Sequence, residues 1–302
     1  MPTLTTPNTG IEIFYEDNGH ADAEVILLVM GLGAQMVLWP DELVAALVGD
    51  GFRVIRYDNR DIGLSSHLDA LGEPNLLWQF VKSRLGLRLR SAYTLQDMAQ
   101  DALGILDALG VARAHVVGVS MGGMVSQRIA ATAPERVLSL TSVMSSSGAP
   151  GLPGPSPEVS RAMVTRPKSQ SPEDVVDHTL DIFRLIGSPA YPQDMPVFRQ
   201  HLLDGVNRSY HRAGVSRQLL AIMTDRQRHT LLPRIVCPSL VIHGAADPLV
   251  PMACGQDTAA RIPGARFEAI QGMGHDWPPG VAALLAQHIV PHLNAATAPD
   301  PA

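Results

Sequence analysis

Residues Ala114-His115-Val116-Val117-Gly118-Val119-Ser120-Met121-Gly122-Gly123 decide how this chain is read. Ala114 to Val119 is a short, β-branched, apolar run of the kind that forms a buried strand. After Ser120 the apolar residues recur at helical spacing through Val125 and Ile129, until Pro134 stops them. Gly118-x-Ser120-x-Gly122 therefore falls where a strand turns sharply into a helix. A bare Gly-x-Ser-x-Gly is an ordinary loop in many chains. With a strand before it and a helix after it, it is the turn that holds a serine hydroxyl above the edge of a sheet as a nucleophile. Glycine two positions to either side lets the helix pack against neighbouring strands without a Cβ clash.

Working outward, the same alternation repeats. Ile11 to Glu16 alternates apolar and polar, as an edge strand does, and Glu24 to Met30 is the continuous apolar run of a strand buried on both faces. Gly31-Leu32-Gly33 follows it, then a helix from about Asp41 to Val48 and a strand from Phe52 to Tyr57 that leads into Asp58-Asn59-Arg60-Asp61. Residues 66 to 92 are irregular and partly amphipathic. Thr94 reads as the N-cap of a helix that Gly110 ends. Arg136 to Val143 is the strand after the elbow helix.

At Ser145-Ser146-Ser147-Gly148 the composition changes, and Pro150, Pro153, Pro155 and Pro157 mark a linker. From there to Arg234 the pattern is helical, with segments at Pro172–Ile186, Met195–Gly205 and Gly214–Thr224. Strands resume at Ser239–His243 and Arg266–Gln271, separated by a helix at Met252–Ile262 and followed by one at Gly280–Leu293. Strands alternating with helices predict an α/β architecture: a mostly parallel sheet covered on both faces. The expected division is a core over 1–145 and 235–294, a helical cap over 146–234, and a flexible tail over 295–302.

The chain has 302 residues, 46% hydrophobic and 17% charged, and suits one large domain with an insertion. Its net charge of −6 gives no electrostatic reason to expect nucleic acid. The run Lys82, Arg84, Arg88 and Arg90, interleaved with leucines, reads as a solvated helix face, with binding of an anionic surface as the lesser reading, and no membrane partner is expected. Cys237 and Cys254 sit in apolar surroundings, in neither metal-ligand nor redox spacing, and read as reduced core residues. The N-terminal stretch shows no signal peptide and no run reaches membrane-spanning length, so a cytoplasmic location is expected. No cofactor or metal is expected. Nothing in the sequence fixes the oligomeric state.

In a parallel sheet the ligand lies beyond the carboxyl ends of the strands. Ser120, the Gly31-Leu32-Gly33 loop, Asp247 and His275 all follow strand ends and should converge there. A serine needs a base. His275, in the glycine-lined loop Gly272-Met273-Gly274-His275, is the candidate; His243 suits a structural turn, and His115 the bottom of the sheet. The base needs an acid to fix its tautomer. Asp247 in Gly244-Ala245-Ala246-Asp247-Pro248 is the candidate and Asp58 the runner-up, with a loop-ordering pair to Arg60 as the other reading of Asp58. Asp276 reads as a local hydrogen-bonding group. A tetrahedral oxyanion needs two backbone donors, for which Met121 N–H and Leu32 N–H are the candidates.

From Ile11 to Leu293 the chain resembles the serine α/β-hydrolases, through Gly118-x-Ser120-x-Gly122, Asp61-x-Gly63-x-Ser65, His243-Gly244-x-x-Asp247 and Gly274-His275. The segments Tyr57-Asp58-Asn59-Arg60-Asp61 and Met273-Gly274-His275-Asp276-Trp277-Pro278 are similar to the branch containing aclacinomycin methylesterases, which cleave carboxylic methyl esters. The resemblance implies an α/β-hydrolase fold and hydrolysis of carboxylic esters through an acyl-enzyme. It departs from many relatives at Met30, where they carry histidine, and this puts the rigidity of the oxyanion loop in question. Serine at the elbow sets the chain apart from similar folds that use an aspartate nucleophile, such as epoxide hydrolases and haloalkane dehalogenases.

The same three side chains also suit acyl transfer, peracid formation, or lactone or C–C hydrolysis. A receptor on this fold is a further reading, against which the intact trio speaks. The expected substrate is a small hydrophobic ester. Val159, Met163, Phe183, Leu202, Leu203, Leu219, Leu220 and Met223 are the apolar residues of the cap, most of them sealing it and a minority lining a pocket. Arg161, Arg208 and Arg212 are the cations there.

Overall fold

The computed structural model describes residues 2–297. Eight strands form one sheet: β1 (Thr3–Thr5), β2 (Glu12–Asn18), β3 (Val25–Val29), β4 (Arg53–Tyr57), β5 (Ala114–Val119), β6 (Val137–Val143), β7 (Ser239–Gly244) and β8 (Arg266–Ile270). Their order across the sheet is β1-β2-β4-β3-β5-β6-β7-β8. β1 and β2 pair antiparallel, as do β2 and β4, and every later pairing is parallel. This is the α/β-hydrolase fold that the motifs imply. β2, expected at the edge, lies one strand in. The three-residue Thr3–Thr5 covers it and is too short to carry a readable period.

Alternation along β3 builds both core layers. Val25, Leu27 and Val29 join Leu95, Met98, Ala102, Ile105 and Leu106 of α3 (Leu95–Ala108), together with Val125 and Ile129 of α4 (Met121–Thr132). Ile26 and Leu28 join Leu43 and Leu47 of α1 (Asp41–Gly49) on the other face, with Leu285 and Ile289 of α10 (Pro279–Thr297). A strand buried on both faces therefore reads as one unbroken apolar run. Thr94 caps α3 with a reciprocal box, its side chain accepting from Asp97 N–H while Asp97 accepts from Thr94 N–H. α10 runs past Leu293, where the apolar pattern ends, to Thr297; residues 298–302 of the expected tail lie outside the described residues.

Between β6 and β7 the described residues form four α-helices, two short 3-10 turns and no strand. The α-helices are α5 (Pro157–Val164), α6 (Pro172–Ile186), α7 (Met195–Arg208) and α8 (Arg212–Thr224). Pro157, expected in the linker, is the first residue of α5, behind the Ser156 cap, where proline costs the helix no hydrogen bond. α9 (Met252–Arg261) returns the chain to the sheet. α2 (Leu76–Arg84) lies in the stretch whose pattern is irregular.

Buried polar contacts hold α7 and α8 over the loops after β3 and β4. Gln35 Nε2 donates to Gly205 O and Ser209 O, both at 2.6 Å. Arg217 of α8 donates from Nε and Nη2 to the two oxygens of Asp61 at 2.8 and 2.6 Å, with both side chains essentially out of solvent. Such a two-pronged pair replaces the water each ion gives up. Burial pushes the Asp61 carboxyl up, but Arg217, Leu68 N–H and Tyr93 together outweigh it and leave it below the usual carboxylate range. Arg217→Met strands that carboxylate, so unfolding should become easier by about 3–5 kcal/mol. Urea unfolding at neutral pH checks this, and a midpoint equal to wild type would contradict it.

His292 of α10 is buried and donates Nε2–H to Leu140 O at 3.2 Å. Burial, chiefly, lowers its pKa to about 4. An unfolded histidine titrates near ~6.5. Below that pH the unfolded chain takes up a proton that the folded one refuses, so the contribution is lost as pH falls from ~6.5 towards ~4. His292→Gln should flatten the decline of unfolding free energy across that window, and an unchanged slope would assign the decline to other groups.

Candidate active site

Ser120 sits at φ 54° and ψ −119°, a left-handed conformation that a serine adopts only under constraint. The constraint comes from both sides. Its N–H donates to Val143 O at 2.9 Å, and Ser145 Oγ donates to its carbonyl at 2.7 Å. α4 begins so close to the end of β3 that a Cβ on Gly122 would lie 2.0 Å from Val29 O, and one on Gly118 would lie 2.2 Å from Ser126 Oγ. These are the two glycines of the motif. With them in place, the Ser120 side chain stands at the carboxyl end of β5.

His275 follows β8. Its Nε2 lies 3.0 Å from Ser120 Oγ and its Nδ1 2.6 Å from Asp247 Oδ2. Asp247, on the loop after β7, has no side-chain exposure, and its other oxygen accepts from Leu249 N–H at 2.9 Å and Val250 N–H at 2.8 Å. An acceptor-only carboxylate beside Nδ1 selects the tautomer with its hydrogen there and leaves Nε2 free to accept from a hydroxyl. Ser120, His275 and Asp247, expected from strand-end positions, thus form one continuous hydrogen-bonded chain.

The imidazole is held from a segment that carries no sequence signal for the purpose, the end of α6. His275 N–H donates to Ile186 O at 2.6 Å and Gly274 N–H to Ser188 Oγ at 2.9 Å. A Cβ on Gly274 would fall 2.4 Å from both Ile186 O and Gly187 O. Asp276, as expected of a local group, accepts from Ser188 Oγ, and burial raises its pKa. Trp277 stacks on Trp39 at 5.2 Å between ring centroids, tying the base loop to the segment after β3.

The Gly31-Leu32-Gly33 loop lies against the nucleophile: a Cβ on Gly31 would come 3.3 Å from Ser120 Cβ. Gly33 N–H is taken by Gln218 Oε1 of α8 at 2.9 Å, and Asn59 Nδ2 donates to Met30 O at 3.0 Å. Gln218 is fully buried and donates its amide N–H to Arg60 O at 3.0 Å. Neither Asn59 nor Gln218 follows from motif or spacing. A glutamine within an amphipathic helix looks like surface until the helix is docked.

The remaining candidates lie apart from this chain of contacts or beneath it. His243 donates Nε2–H to Val250 O at 2.7 Å, below Asp247, and burial lowers its pKa, consistent with a structural turn. His115, fully buried at the start of β5, meets Ser139 Oγ at 2.7 Å. Asp58 orders its loop, accepting from Met36 N–H at 2.8 Å and Leu64 N–H at 2.9 Å. Its cation is Arg208 at 2.7 Å, whereas Arg60 pairs with Asp101 at 2.5 Å; the Asp58–Arg60 pair expected from proximity in sequence does not form. Arg212 pairs with Glu73 and Arg161 is exposed.

Two cavities flank the site. One of about 110 Å³ adjoins Gly33 and is lined by Leu38, Ile62, Val175, Leu202 and Val215. The other, of about 470 Å³, adjoins Ala246, Pro248 and Asp276, with Phe183, Tyr191 and Phe198 on its walls. Leu202 and Phe183 are thus the wall residues among those singled out, while Val159 and Leu220 are buried in packing.

Comparison with known proteins bears on the family and the fold. The family model described as the alpha/beta hydrolase fold matches residues 24–171. The chain is 31% identical to rhodomycin D methylesterase from Streptomyces peucetius, over 98% of this chain and 100% of that one. A putative carbamate hydrolase from Caulobacter segnis is 29% identical, over 89% of this chain and 92% of its own. Among solved structures, the enol-lactonase from Burkholderia xenovorans LB400 superposes with a TM-score of 0.71 at 24% identity, covering 97% of this chain and 100% of that one.

Proposed function

The chain belongs to the α/β-hydrolase family and is a carboxylic ester hydrolase, and on that premise we propose that Ser120, His275 and Asp247 cleave methyl esters of hydrophobic carboxylic acids through an acyl-enzyme. The observation that carries the reading is the relay itself, 3.0 Å from Ser120 Oγ to His275 Nε2 and 2.6 Å from Nδ1 to Asp247. His275 takes the Ser120 proton as Oγ attacks the ester carbonyl carbon. Asp247 stabilises the imidazolium that results. His275 then protonates the departing alkoxide, releasing the alcohol. Water, deprotonated by the same nitrogen, attacks the acyl-enzyme, and collapse returns the proton to Ser120 and frees the acid.

The oxyanion of both tetrahedral intermediates rests on Met121 N–H, the first turn of α4, and on Leu32 N–H. Gln218 supports the second donor by holding Gly33 N–H, the next amide along the loop. Helices α5–α8 act as the cap, and the walls of the two flanking cavities supply apolar surface for the acid. Arg208 and Arg212 are committed to Asp58 and Glu73, so neither forms a carboxylate clamp.

Hydrolysis of p-nitrophenyl acyl esters and of carboxylic methyl esters tests the reading. Ser120→Ala should lose on the order of 10³-fold or more in kcat while folding normally, and an organophosphonate should add one adduct to the Ser120 peptide of the wild type alone. Equal rates in the two proteins would end it. Gln218→Leu should lower kcat and kcat/KM together, by roughly 10–100-fold, and weaken a trifluoromethyl ketone inhibitor by a similar factor with KM little changed. A rise in KM alone would assign Gln218 to substrate binding.

A further inference from the structure

α2 is packed inside out. Leu77, Val81 and Leu85 recur every four residues and, with Trp78, make one outward stripe; they are 75%, 39%, 66% and 52% exposed. Phe80 and Leu87 extend it. The opposite face, Leu76, Gln79 and Ser83, is the half-buried one, and there Arg226 Nη2 donates to Ser83 Oγ at 3.1 Å. Of twelve large hydrophobics exposed among the described residues, six fall between Leu77 and Leu87, so this is a patch and not scatter.

The charge around the patch is one-sided. Lys82, Arg84, Arg88 and Arg90 lie in it, and no acidic residue occurs from Asn75 to Thr94, in a chain whose net charge is −6. Lys82 Nζ reaches over the Trp78 ring at 5.7 Å from its centroid, and the Arg84 guanidinium over Phe80 at 5.2 Å. Lys82 and Arg84 thus stand at the border of the apolar stripe, with their stems along the rings.

We propose that α2 and the segment through Arg90 form a docking surface for an anionic lipid bilayer. An apolar stripe bordered by cations, with a tryptophan beside it, is the chemistry that lies in the headgroup region: the stripe enters the acyl boundary while Lys82, Arg84, Arg88 and Arg90 meet lipid phosphates. Among the described residues no helix is long and apolar enough to cross a membrane, so the contact lies on the surface. A second copy fits poorly, because a two-fold contact would bring the same four cations together from each side. Leu85 and Leu87, between Arg84 and Arg88, face outward with the cations, whereas Leu89 is buried.

The test is co-sedimentation of the full chain with vesicles of phosphatidylcholine alone and of an equal mixture with phosphatidylglycerol, at low and high salt. Binding should require phosphatidylglycerol and weaken with salt. Arg84→Glu with Arg88→Glu, and separately Leu77→Ser with Trp78→Ala, should each reduce it by about tenfold or more. Trp78 emission should shift to the blue on binding. Hydrolysis of a soluble ester should stay at the wild-type rate in both variants, which shows that they fold. Absence of binding, or equal binding to both vesicle types, overturns the proposal. So does a dimer that Leu77→Ser with Trp78→Ala dissociates without any vesicle binding, which would assign the stripe to a second copy.

Discussion

The closeness of α4 to the end of β3 is the constraint on which the site depends. A helix starting there leaves no space for a side chain at Gly122, whose Cβ would sit 2.0 Å from a backbone oxygen. The chain can make the turn only by passing one residue through left-handed φ, and Ser120 is that residue. The strained backbone costs on the order of 1–3 kcal/mol. It persists because the Val143 and Ser145 contacts and the buried body of α4 leave no relaxed alternative. The geometry of the hydroxyl is thus a consequence of packing below it, before any histidine is considered.

A second dependence runs from the helical insertion back to the strand ends. Three groups on the loops after β3, β4 and β8 are held by residues between β6 and β7: Gly33 N–H by Gln218, Asp61 by Arg217, and the His275 backbone by Ile186. Each contact is buried or half-buried and uses hydrogen-bonding groups that would otherwise be left without water. The insertion therefore shares the ordering of the loops that carry the chemistry. Changes at α8 are transmitted to those loops through directional bonds, while a loosely packed apolar lid would transmit little.

How much of this was legible in sequence depends on whether the signal was local. The elbow strand Ala114–Val119 and the helix Pro172–Ile186 have the bounds that pattern alone predicts, because β-branched runs, caps and prolines act within a few residues. The meeting of Ser120, His275 and Asp247 was likewise foreseeable, because each follows a strand end. Arg217, Gln218 and Asn59 were not. Their partners lie far away in the chain, and polar residues destined for burial carry no local mark. The Asp58–Arg60 expectation failed for the same reason: sequence proximity suggested a pair, but the backbone between them turns so that each finds a distant partner. α2 escaped because its apolar face points outward, so burial does not impose the usual periodic contrast.

The departure at Met30 can now be placed in physical terms. A histidine at that position would add a polar side chain able to brace the oxyanion loop; Met30 instead is buried among Ile26, Leu28 and Trp39 and offers packing alone. The bracing is supplied at the backbone, by Asn59 on the carbonyl of Met30 and by Gln218 on the amide of Gly33, one on each side of Leu32. Two hydrogen bonds bracketing a short glycine-flanked turn restrict its dihedrals more directly than one side chain at its start. The Gln218 bond lasts only while α8 is docked. In the proposed mechanism, the second oxyanion donor is therefore aligned by the same insertion that forms the substrate's walls, and an insertion displaced from the core would lose alignment and pocket together.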